Sequence, residues 1–358
     1  MRAAVLTAYG APLSVEDVTL ADVGPRGVRL RIEASGVCHS DLSAATGAVP
    51  LGVPLILGHE GTGTVTAVGP EVTQVRPGDR VLASFVPVCG ECWFCLHDES
   101  YLCERMGAAS REAKGVRADG TPVRGMTGLG TFAEEMLVDE SAVVRVQTDL
   151  PSDQLALIGC GVTAGVGAVL NTAQVAPGST VAVFGCGGVG QSVVQGARIA
   201  GASRIFAVDP VPMKRELAER LGATDAVDPG AGDPVEQVMA ATGGRGVDDV
   251  FEAVGRADTI AQAYAAARRG GTIVVVGMAR SDATVSFSAL SLFYESKRIL
   301  GCVFGGSQVR RDFPRFVQLA ESGRLDLGAL VSRHVGLDDV DDAFRAMQAG
   351  EVIRSVVV

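Results

Sequence analysis

The sequence predicts an α/β protein in which a doubly wound parallel sheet is accompanied by a β-rich unit. Two observations predict this class. Strand-like and helix-like segments alternate between residues 162 and 276, whereas the first part of the chain has short strands separated by Gly and Pro turns. With 358 residues, the chain is long enough for two domains with separate cores.

The composition is that of a globular protein, with 47% hydrophobic and 20% charged residues. A net charge of −10 argues against nucleic acid or an anionic membrane as a partner. The N-terminal stretch carries charge early and lacks the apolar core of a secretory signal. The apolar segment 155–170 is shorter than the roughly 20 residues that cross a bilayer, so it indicates buried core. We therefore expect a cytoplasmic protein without a membrane or nucleic-acid partner.

The first part of the chain is predicted to be strand-rich. Apolar and charged residues alternate from Val28 to Ala34, which is typical of a half-buried strand. The segments 61–69 and 80–83 have the same character and are separated by Gly and Pro turns. The polar, glycine-rich segment 104–130 is predicted to be a loop.

The central part of the chain alternates strands with helices. Strands are predicted at 180–184, 204–208, 247–251 and 271–276, and helices at 189–200, 212–221, 234–241 and 257–269. This order implies right-handed βαβ units and a parallel sheet. The tail has predicted helices around 312–321 and 338–348 and a strand at 353–358. Because the tail cannot complete the sheet alone, we expect it to return to the first unit.

A glycine turn lies between the first two of these strands. Gly185 allows a tight turn, Gly187 lets the backbone approach a pyrophosphate, and Gly190 lets helix and strand pack closely. The following helix offers free N–H groups and a partial positive charge. Asp209, at the end of the second strand, is placed to accept hydrogen bonds from an adenosine ribose. The alternative, an ordinary strand-to-helix turn, leaves this acid unexplained.

Eight cysteines suggest metal or redox chemistry before disulfides. Four of them, Cys89, Cys92, Cys95 and Cys103, fall within fifteen residues and suit a closed, tetrahedral Zn²⁺ site. An iron–sulfur cluster is the competing interpretation. Ferredoxin runs place the next cysteine three residues on and follow it with proline, whereas here the gap is seven and Glu104 follows.

A second set of metal-ligand residues is dispersed: Cys38 in CHSD, His59 in GHE, and Cys160 in GCG. Taken singly, a cysteine is usually a buried apolar residue and a histidine a satisfied core group. Taken together, two thiolates and one imidazole leave a fourth position for water or substrate, as in a catalytic zinc site. Spacing alone cannot unite residues so far apart.

The ordered motifs GVCHSD, ILGHEGTGTV, the four-cysteine cluster, IGCGVTAG and VFGCGGVG resemble the zinc-dependent alcohol dehydrogenases of the medium-chain dehydrogenase/reductase family. The resemblance covers essentially the whole chain. It implies a GroES-like catalytic domain formed by 1–161 and 304–358, with a structural zinc lobe at 89–103. It also implies a Rossmann NAD-binding domain at 162–303 and an active cleft between the two domains.

The resemblance also implies residue roles. Two zinc ions are expected, and Ser40 is expected to hydrogen-bond the substrate hydroxyl. The catalytic zinc would be held by Cys38, His59 and Cys160, with Glu60 behind it as an occasional ligand. The expected cofactor contacts are His39, Gly185, Gly187, Gly188, Val189, Gly190, Asp209, Lys214, Val276 and Arg354. The expected apolar substrate contacts are Val49, Phe85, Phe132, Met278 and Val303.

The implied reaction is reversible hydride transfer between a primary alcohol, aromatic or medium-chain aliphatic, and NAD⁺. A homo-oligomer, dimer or tetramer, is also expected. One departure concerns proton transfer, because many relatives carry a histidine where this chain has Ser43. Ser40 is also smaller than the threonine of many relatives, which leaves room for a bulkier alcohol.

Three alternatives remain open at this stage. Glutathione-dependent formaldehyde dehydrogenases are close in this family, but the charges that help them bind glutathione are replaced by Val49, Leu51 and about Gly107. The segment 159–172 also resembles mycothiol-dependent formaldehyde dehydrogenase and nicotinoproteins, which hold NAD tightly. A zinc- and dinucleotide-binding sensor is the non-enzymatic alternative, although intact ligands and Ser40 argue against it.

Overall fold

The computed structural model describes residues 1–358, which form two compact units. Unit 1 comprises Met1–Cys160, Gln308–Glu321 and Leu327–Val358, and unit 2 comprises Gly161–Ser307 and Ser322–Asp326. The expected boundaries at 161/162 and 303/304 lie within a few residues of these limits. The short return 322–326 has no counterpart in the expected domains.

The strands are β1 (Arg2–Leu6), β2 (Ser14–Leu20), β3 (Gly27–Gly36), β4 (Leu55–Ile56), β5 (Glu60–Val68), β6 (Arg80–Ala83), β7 (Ala113–Arg117), β8 (Pro122–Gly125), β9 (Glu135–Asp139), β10 (Val143–Arg145), β11 (Thr180–Phe184), β12 (Arg204–Val208), β13 (Asp225–Val227), β14 (Val247–Glu252), β15 (Ala267–Val275), β16 (Arg298–Gly301), β17 (Val331–Val335) and β18 (Arg354–Val357).

The α-helices are α1 (His39–Ala45), α2 (Trp93–Leu96), α3 (Ser152–Ala156), α4 (Gly161–Gly167), α5 (Gly188–Ala200), α6 (Pro212–Leu221), α7 (Pro234–Ala241), α8 (Ala257–Ala266), α9 (Ala289–Glu295), α10 (Val309–Glu321) and α11 (Val340–Gln348). A π-helical turn, Ala168–Ala173, follows α4.

Unit 1 is built from two β layers. Five strands close a barrel in the order β1-β2-β7-β8-β4, and a seven-stranded sheet runs β10-β6-β5-β3-β18-β17 with β9 paired to β3. The last strand confirms that the tail returns to the first unit, because Val356 and Val357 pair with Gly36 and Ser35. The amphipathic helix α11 packs its apolar side, including Phe344, into the core beside the barrel.

Unit 2 has one six-stranded, all-parallel sheet in the order β13-β12-β11-β14-β15-β16. The strand order turns back at β11, and β14 lies on its other side, as in a doubly wound sheet. The central strands are apolar on both faces, with Phe184, Phe206 and Phe251 fully buried. The predicted Rossmann architecture is confirmed.

Two local predictions are wrong. The predicted loop 104–130 contains the hairpin of β7 and β8, whose turn places Gly120 at φ +81°. Only a positive-φ residue fits that turn, so glycine there is a hairpin signal. The predicted helix 257–269 ends at Ala266, and the next strand begins at Ala267 because its residues already pair with β14.

No single helix has both the length and the apolar character needed to cross a membrane. The bent pair Ser152–Gly159 and Gly161–Ala173 meets these two criteria when taken together.

Candidate metal centres and cofactor site

Cys38 is placed by the junction of a strand and a helix in unit 1. It follows β3 and occupies the N-cap of α1 in an extended backbone conformation. The carboxylate of Asp41, in the first turn of that helix, accepts the backbone N–H of Cys38 at 2.8 Å. It also accepts the N–H of Gly58 at 3.2 Å, so one fully buried acid joins the two segments that carry predicted zinc ligands.

His59 lies directly before β5 and is almost completely buried. Its Nδ1 atom is 2.8 Å from Oδ1 of Asp41, whereas its Nε2 atom is buried and has no hydrogen-bond partner. A buried nitrogen without a partner is costly unless another group binds it. An imidazole held by a carboxylate at one nitrogen and open at the other is the usual arrangement of a metal-binding histidine.

Glu60 begins β5 and has no solvent exposure. The Arg354 guanidinium lies 3.3 Å from its Oε1 atom and donates a hydrogen bond to the Val37 carbonyl at 3.0 Å. Neither carboxylate oxygen of Glu60 has a hydrogen bond of good geometry, so the contact with Arg354 is an ion pair only. Burial raises the pKa of Glu60 to about 7 against the opposing effect of Arg354.

The structure brings the dispersed residues together. Ligand atoms of Cys38, His59, Glu60 and Cys160 all lie within 4.8 Å of one another. The pKa of Cys38 is held well below that of an ordinary thiol by a hydrogen bond from Cys160 and by the charge of Arg354, which outweigh burial. Two sulfurs, one orphaned imidazole nitrogen and a nearby carboxylate fit Zn²⁺ with one open position, the arrangement of a catalytic zinc.

The four-cysteine cluster surrounds the short helix α2. The sulfurs of Cys89 and Cys95 are 3.8 Å apart, and those of Cys92 and Cys103 are 4.0 Å apart. A tetrahedral zinc with Zn–S bonds of about 2.3 Å places its sulfurs about 3.8 Å apart. The spacing therefore fits a closed structural zinc site.

The glycine turn of unit 2 joins β11 to α5. Gly185 has φ +89°, and a side chain at Gly190 would overlap the Gly185 carbonyl, so both positions require glycine. A Cβ at Gly187 would meet nothing within 4 Å. Gly188 and Val189 are the first two residues of α5, whose free N–H groups suit a pyrophosphate. The open space at Gly187 fits a dinucleotide.

Asp209 is nearly buried at the end of β12, and its carboxylate accepts two backbone N–H groups. Oδ2 accepts from Cys186 at 2.8 Å and Oδ1 from Val211 at 2.9 Å. A carboxylate has about four acceptor positions, so it can still bind ribose hydroxyls. Asp209 thus also fixes the glycine turn, a second role that the sequence did not indicate.

The other predicted cofactor residues are distributed over both units. In unit 1, His39 is exposed at the start of α1, and Arg354 is buried beside Glu60. In unit 2, Lys214 is half-buried on α6, and Val276 donates its N–H to the Glu252 carbonyl at 2.8 Å. Their contacts with a cofactor stay predictions.

The predicted substrate contacts differ in exposure. In unit 1, Val49 and Phe85 are half-buried, and the Phe85 ring meets the His59 ring edge-on at 5.8 Å. Phe132 instead has no exposed surface and packs in the core near Phe344, so its assignment to the substrate pocket is not retained. Met278 and Val303, in unit 2, are 57% and 42% exposed.

Ser40 lies half-buried in the first turn of α1, two residues after Cys38. Sequence reasoning gave no role to its neighbour Asp41. A signal was present, because an acid three residues after a helix N-cap is typical of a helix start. Its contact with His59 could not be read from a pattern, since 18 residues separate the two.

The chain matches two models of known protein families. Residues 24–148 match the alcohol dehydrogenase GroES-like domain, and residues 188–322 match the zinc-binding dehydrogenase model. S-(hydroxymethyl)glutathione dehydrogenase of Escherichia coli O6:H1 (strain CFT073) is 39% identical over 367 residues, which cover 99% of both proteins.

Two solved structures are similar over nearly their whole length. Benzyl alcohol dehydrogenase from Acinetobacter calcoaceticus has a TM-score of 0.93 and 30% identity, covering 99% of this chain and 98% of that one. A zinc-binding dehydrogenase from Sinorhizobium meliloti 1021, solved with NADP, has a TM-score of 0.84 and 30% identity, covering 100% and 98%.

Proposed function

The chain belongs to the zinc-dependent alcohol dehydrogenases of the medium-chain dehydrogenase/reductase family, and on this premise we propose that it oxidises apolar primary alcohols to aldehydes with NAD⁺. The observation that carries the proposal is the cluster of buried Cys38 and His59 with half-buried Cys160, in which the His59 Nε2 atom has no partner. A closed structural site would use a fourth protein ligand, whereas here Glu60 is already paired with Arg354.

Five side chains have proposed roles around the reacting alcohol. Zinc held by Cys38, His59 and Cys160 would supply a Lewis acid that lowers the pKa of a bound hydroxyl. Asp41 fixes the orientation of the His59 ring through Nδ1. Ser40, in the first turn of α1, is the group proposed to accept the proton of the alcohol.

The last group for proton release from Ser40 differs from that of many relatives. Ser43, on the same helix, offers no base at the position where a histidine is common. We therefore propose that the proton leaves through a ribose hydroxyl or water.

A nicotinamide dinucleotide is the proposed cofactor, and it would supply the hydride acceptor. The glycine turn and the buried carboxylate of Asp209 support this proposal, because they suit a pyrophosphate and an unphosphorylated ribose. NAD rather than NADP is proposed because Asp209 would repel a 2′-phosphate. The NADP-bound relative makes this choice worth testing directly.

The proposed substrate is an apolar primary alcohol. Val49 and Phe85 carry no charge, and Phe85 contacts the ring of His59. A polyol or carboxylate would lose water there without gaining partners, at about 1–3 kcal/mol for each unpaired polar group. Each buried methylene should gain about 0.8 kcal/mol until the available space is filled. The similarity to benzyl alcohol dehydrogenase supports the same substrate class.

The second candidate is oxidation of a thiol adduct of formaldehyde. It is favoured by the 39% identity to S-(hydroxymethyl)glutathione dehydrogenase. The uncharged Val49, half-buried Leu51 and exposed Gly107 are arguments against glutathione, because none of them can pair with its charged groups. Three further functions remain as outcomes of the test below. They are oxidation of a mycothiol adduct, alcohol oxidation with a tightly held NAD, and a non-catalytic sensor.

The test is a series of kcat/KM values with NAD⁺, from ethanol through hexanol to benzyl alcohol. Efficiency should rise along the series, and sorbitol should react poorly. A maximum with S-(hydroxymethyl)glutathione or the mycothiol adduct would replace the proposed substrate by the thiol adduct. NAD that copurifies with the protein and does not exchange would indicate a nicotinoprotein. No NADH absorbance at 340 nm with any substrate would favour the sensor.

A further inference from the structure

Two acids lie side by side at one edge of the parallel sheet of unit 2. Asp209 follows β12 and Asp228 follows β13, and the preceding residues of the two strands, Val208 and Val227, are paired in register. The carboxyl ends of parallel strands carry the ligand-binding loops in open α/β sheets. Both acids therefore lie at the edge where the adenosine ribose is proposed to bind.

Arg215, on α6, connects the two positions. Its NH1 group donates to the backbone carbonyl of Asp209 at 2.6 Å, and its NH2 group donates to the Asp228 carboxylate at 2.9 Å. The arginine side chain is only 15% exposed. The guanidinium is thus held by the main chain on one side and by a carboxylate on the other.

The Asp228 carboxylate is itself fixed. Its second oxygen accepts the N–H of Gly230 at 2.8 Å, which orients the side chain independently of Arg215. The Asp228 carboxylate is the ion-pair partner of Arg215, which follows Lys214 on α6. Removing one carboxylate would leave an excess positive charge beside the ribose position.

We propose that Asp228 is a specificity-determining residue that favours NAD over NADP by holding Arg215 away from a 2′-phosphate. The inference rests on the proposed use of a nicotinamide dinucleotide. A guanidinium binds phosphate through paired N–H donors in one plane, and here two of those donors are already engaged. Asp228 both neutralises Arg215 and fixes its orientation, which adds to the repulsion that Asp209 exerts on the phosphate.

Asp209 itself is a poor residue for the test, because its carboxylate also holds the N–H of Cys186 in the glycine turn. The test therefore uses Asp228→Asn, in which Oδ1 can still accept from Gly230 while the amide no longer attracts Arg215. Asp228→Ser is a second variant with a shorter acceptor. The double variant Asp228→Asn/Arg215→Gln shows whether any effect passes through the guanidinium.

Asp225→Asn is the matched control. It removes the same charge at the other end of the same strand, where Asp225 holds Arg204 through two hydrogen bonds of 2.8 and 2.6 Å. Arg204 begins β12 and so lies at the opposite end of the sheet from Arg215. Any general effect of lost negative charge would appear in this variant as well.

Binding of 2′,5′-ADP and of ADP-ribose is measured by calorimetry on the full-length, zinc-loaded protein. Asp228→Asn should tighten 2′,5′-ADP binding about fivefold to tenfold, as expected for one released charge-assisted contact, and change ADP-ribose binding less than about twofold. Asp228→Ser should do the same, and the double variant and Asp225→Asn should show no gain.

Unchanged 2′,5′-ADP affinity in both Asp228 variants would overturn the inference, as would a gain that persists without Arg215 or appears equally in Asp225→Asn. In each of these cases the proposed function stands if the wild type binds ADP-ribose. A wild type that binds neither ligand would overturn the dinucleotide proposal itself, and this inference with it.

Discussion

His59 and Asp41 are joined by a 2.8 Å contact between Nδ1 and Oδ1, and both side chains are buried. The same carboxylate holds the backbone of Cys38 and of Gly58. One acid therefore sets the position of two predicted zinc ligands that belong to different segments of the chain. Loss of the Asp41 carboxylate should weaken metal binding before it affects the overall fold.

Asp41→Asn should weaken zinc binding at the catalytic site about tenfold to hundredfold, because the His59 ring loses its charged partner. Competition with a chromogenic chelator measures the change, and the four-cysteine zinc should be retained. Asp153→Asn is the control, since Asp153 contacts the exposed His334 at 2.7 Å in the same unit. Equal zinc affinity in the Asp41 variant and the wild type would contradict the role of Asp41.

The two metal centres should respond differently to loss of one cysteine. Cys38→Ala should abolish activity and leave one zinc in a folded protein. Cys95→Ala should impair folding, because structural zinc contributes on the order of 10 kcal/mol in small domains that unfold without it. Elemental analysis and circular dichroism measure both outcomes. Iron, or a single zinc in the wild type, would rule out the two-zinc assignment.

The glycine turn allows cofactor binding to be separated from packing. Gly187→Ala places a methyl group in open space, so stability should be unchanged while NADH binding weakens at least tenfold through a steric clash. Gly190→Ala should lower the free energy of unfolding by several kcal/mol, because its methyl group would overlap the Gly185 carbonyl. Thermal melting and NADH fluorescence titration distinguish the two effects. Full NADH affinity in Gly187→Ala would refute the proposed approach of the pyrophosphate.

The edge of unit 2 offers a surface for the homo-oligomer expected from the sequence. Strand β16 pairs only with β15, and the neighbouring helix α9 has no buried residue. Leu290, Phe293 and Tyr294 on this helix are 67%, 75% and 71% exposed, which forms an apolar surface suited to a second copy. Phe293→Asp should therefore shift the protein toward monomer in light scattering. Val358→Asp, at an exposed site of unit 1, should leave the mass unchanged, and a monomeric wild type would contradict the proposal.

The parallel sheet was the part of the fold best predicted from sequence. Strands β11 and β12 coincide with predicted 180–184 and 204–208, because buried parallel strands are continuous apolar runs between clear helix patterns. The hairpin of β7 and β8 was missed, since AKGVR and PVRG contain few apolar residues and little alternation. Pairing with β2 and β4, rather than local pattern, makes these segments strands.

The site was predictable only in part, because most of it also depends on contacts between residues that are distant in sequence. The four-cysteine cluster could be read from local spacing, whereas Cys38, His59 and Cys160 were united by resemblance alone. Phe132 and Asp41 show the limit of both approaches. Burial of Phe132 depends on contacts with α11, near the other end of the sequence, and the role of Asp41 depends on a side-chain direction that a sequence does not specify.

The position of β18 in the sheet determines when, during synthesis, the contacts of Arg354 can form. Arg354 donates to the Val37 carbonyl across 317 residues of sequence. A ribosome adding about 5–20 residues per second makes Arg354 about 15 to 60 s after Val37. By then all six strands of unit 2 have emerged or are emerging, so that sheet can form while Glu60 still lacks its cation. The ion pair of Glu60 with Arg354, at the proposed catalytic centre, can thus form only after the strands of unit 2 have been synthesised.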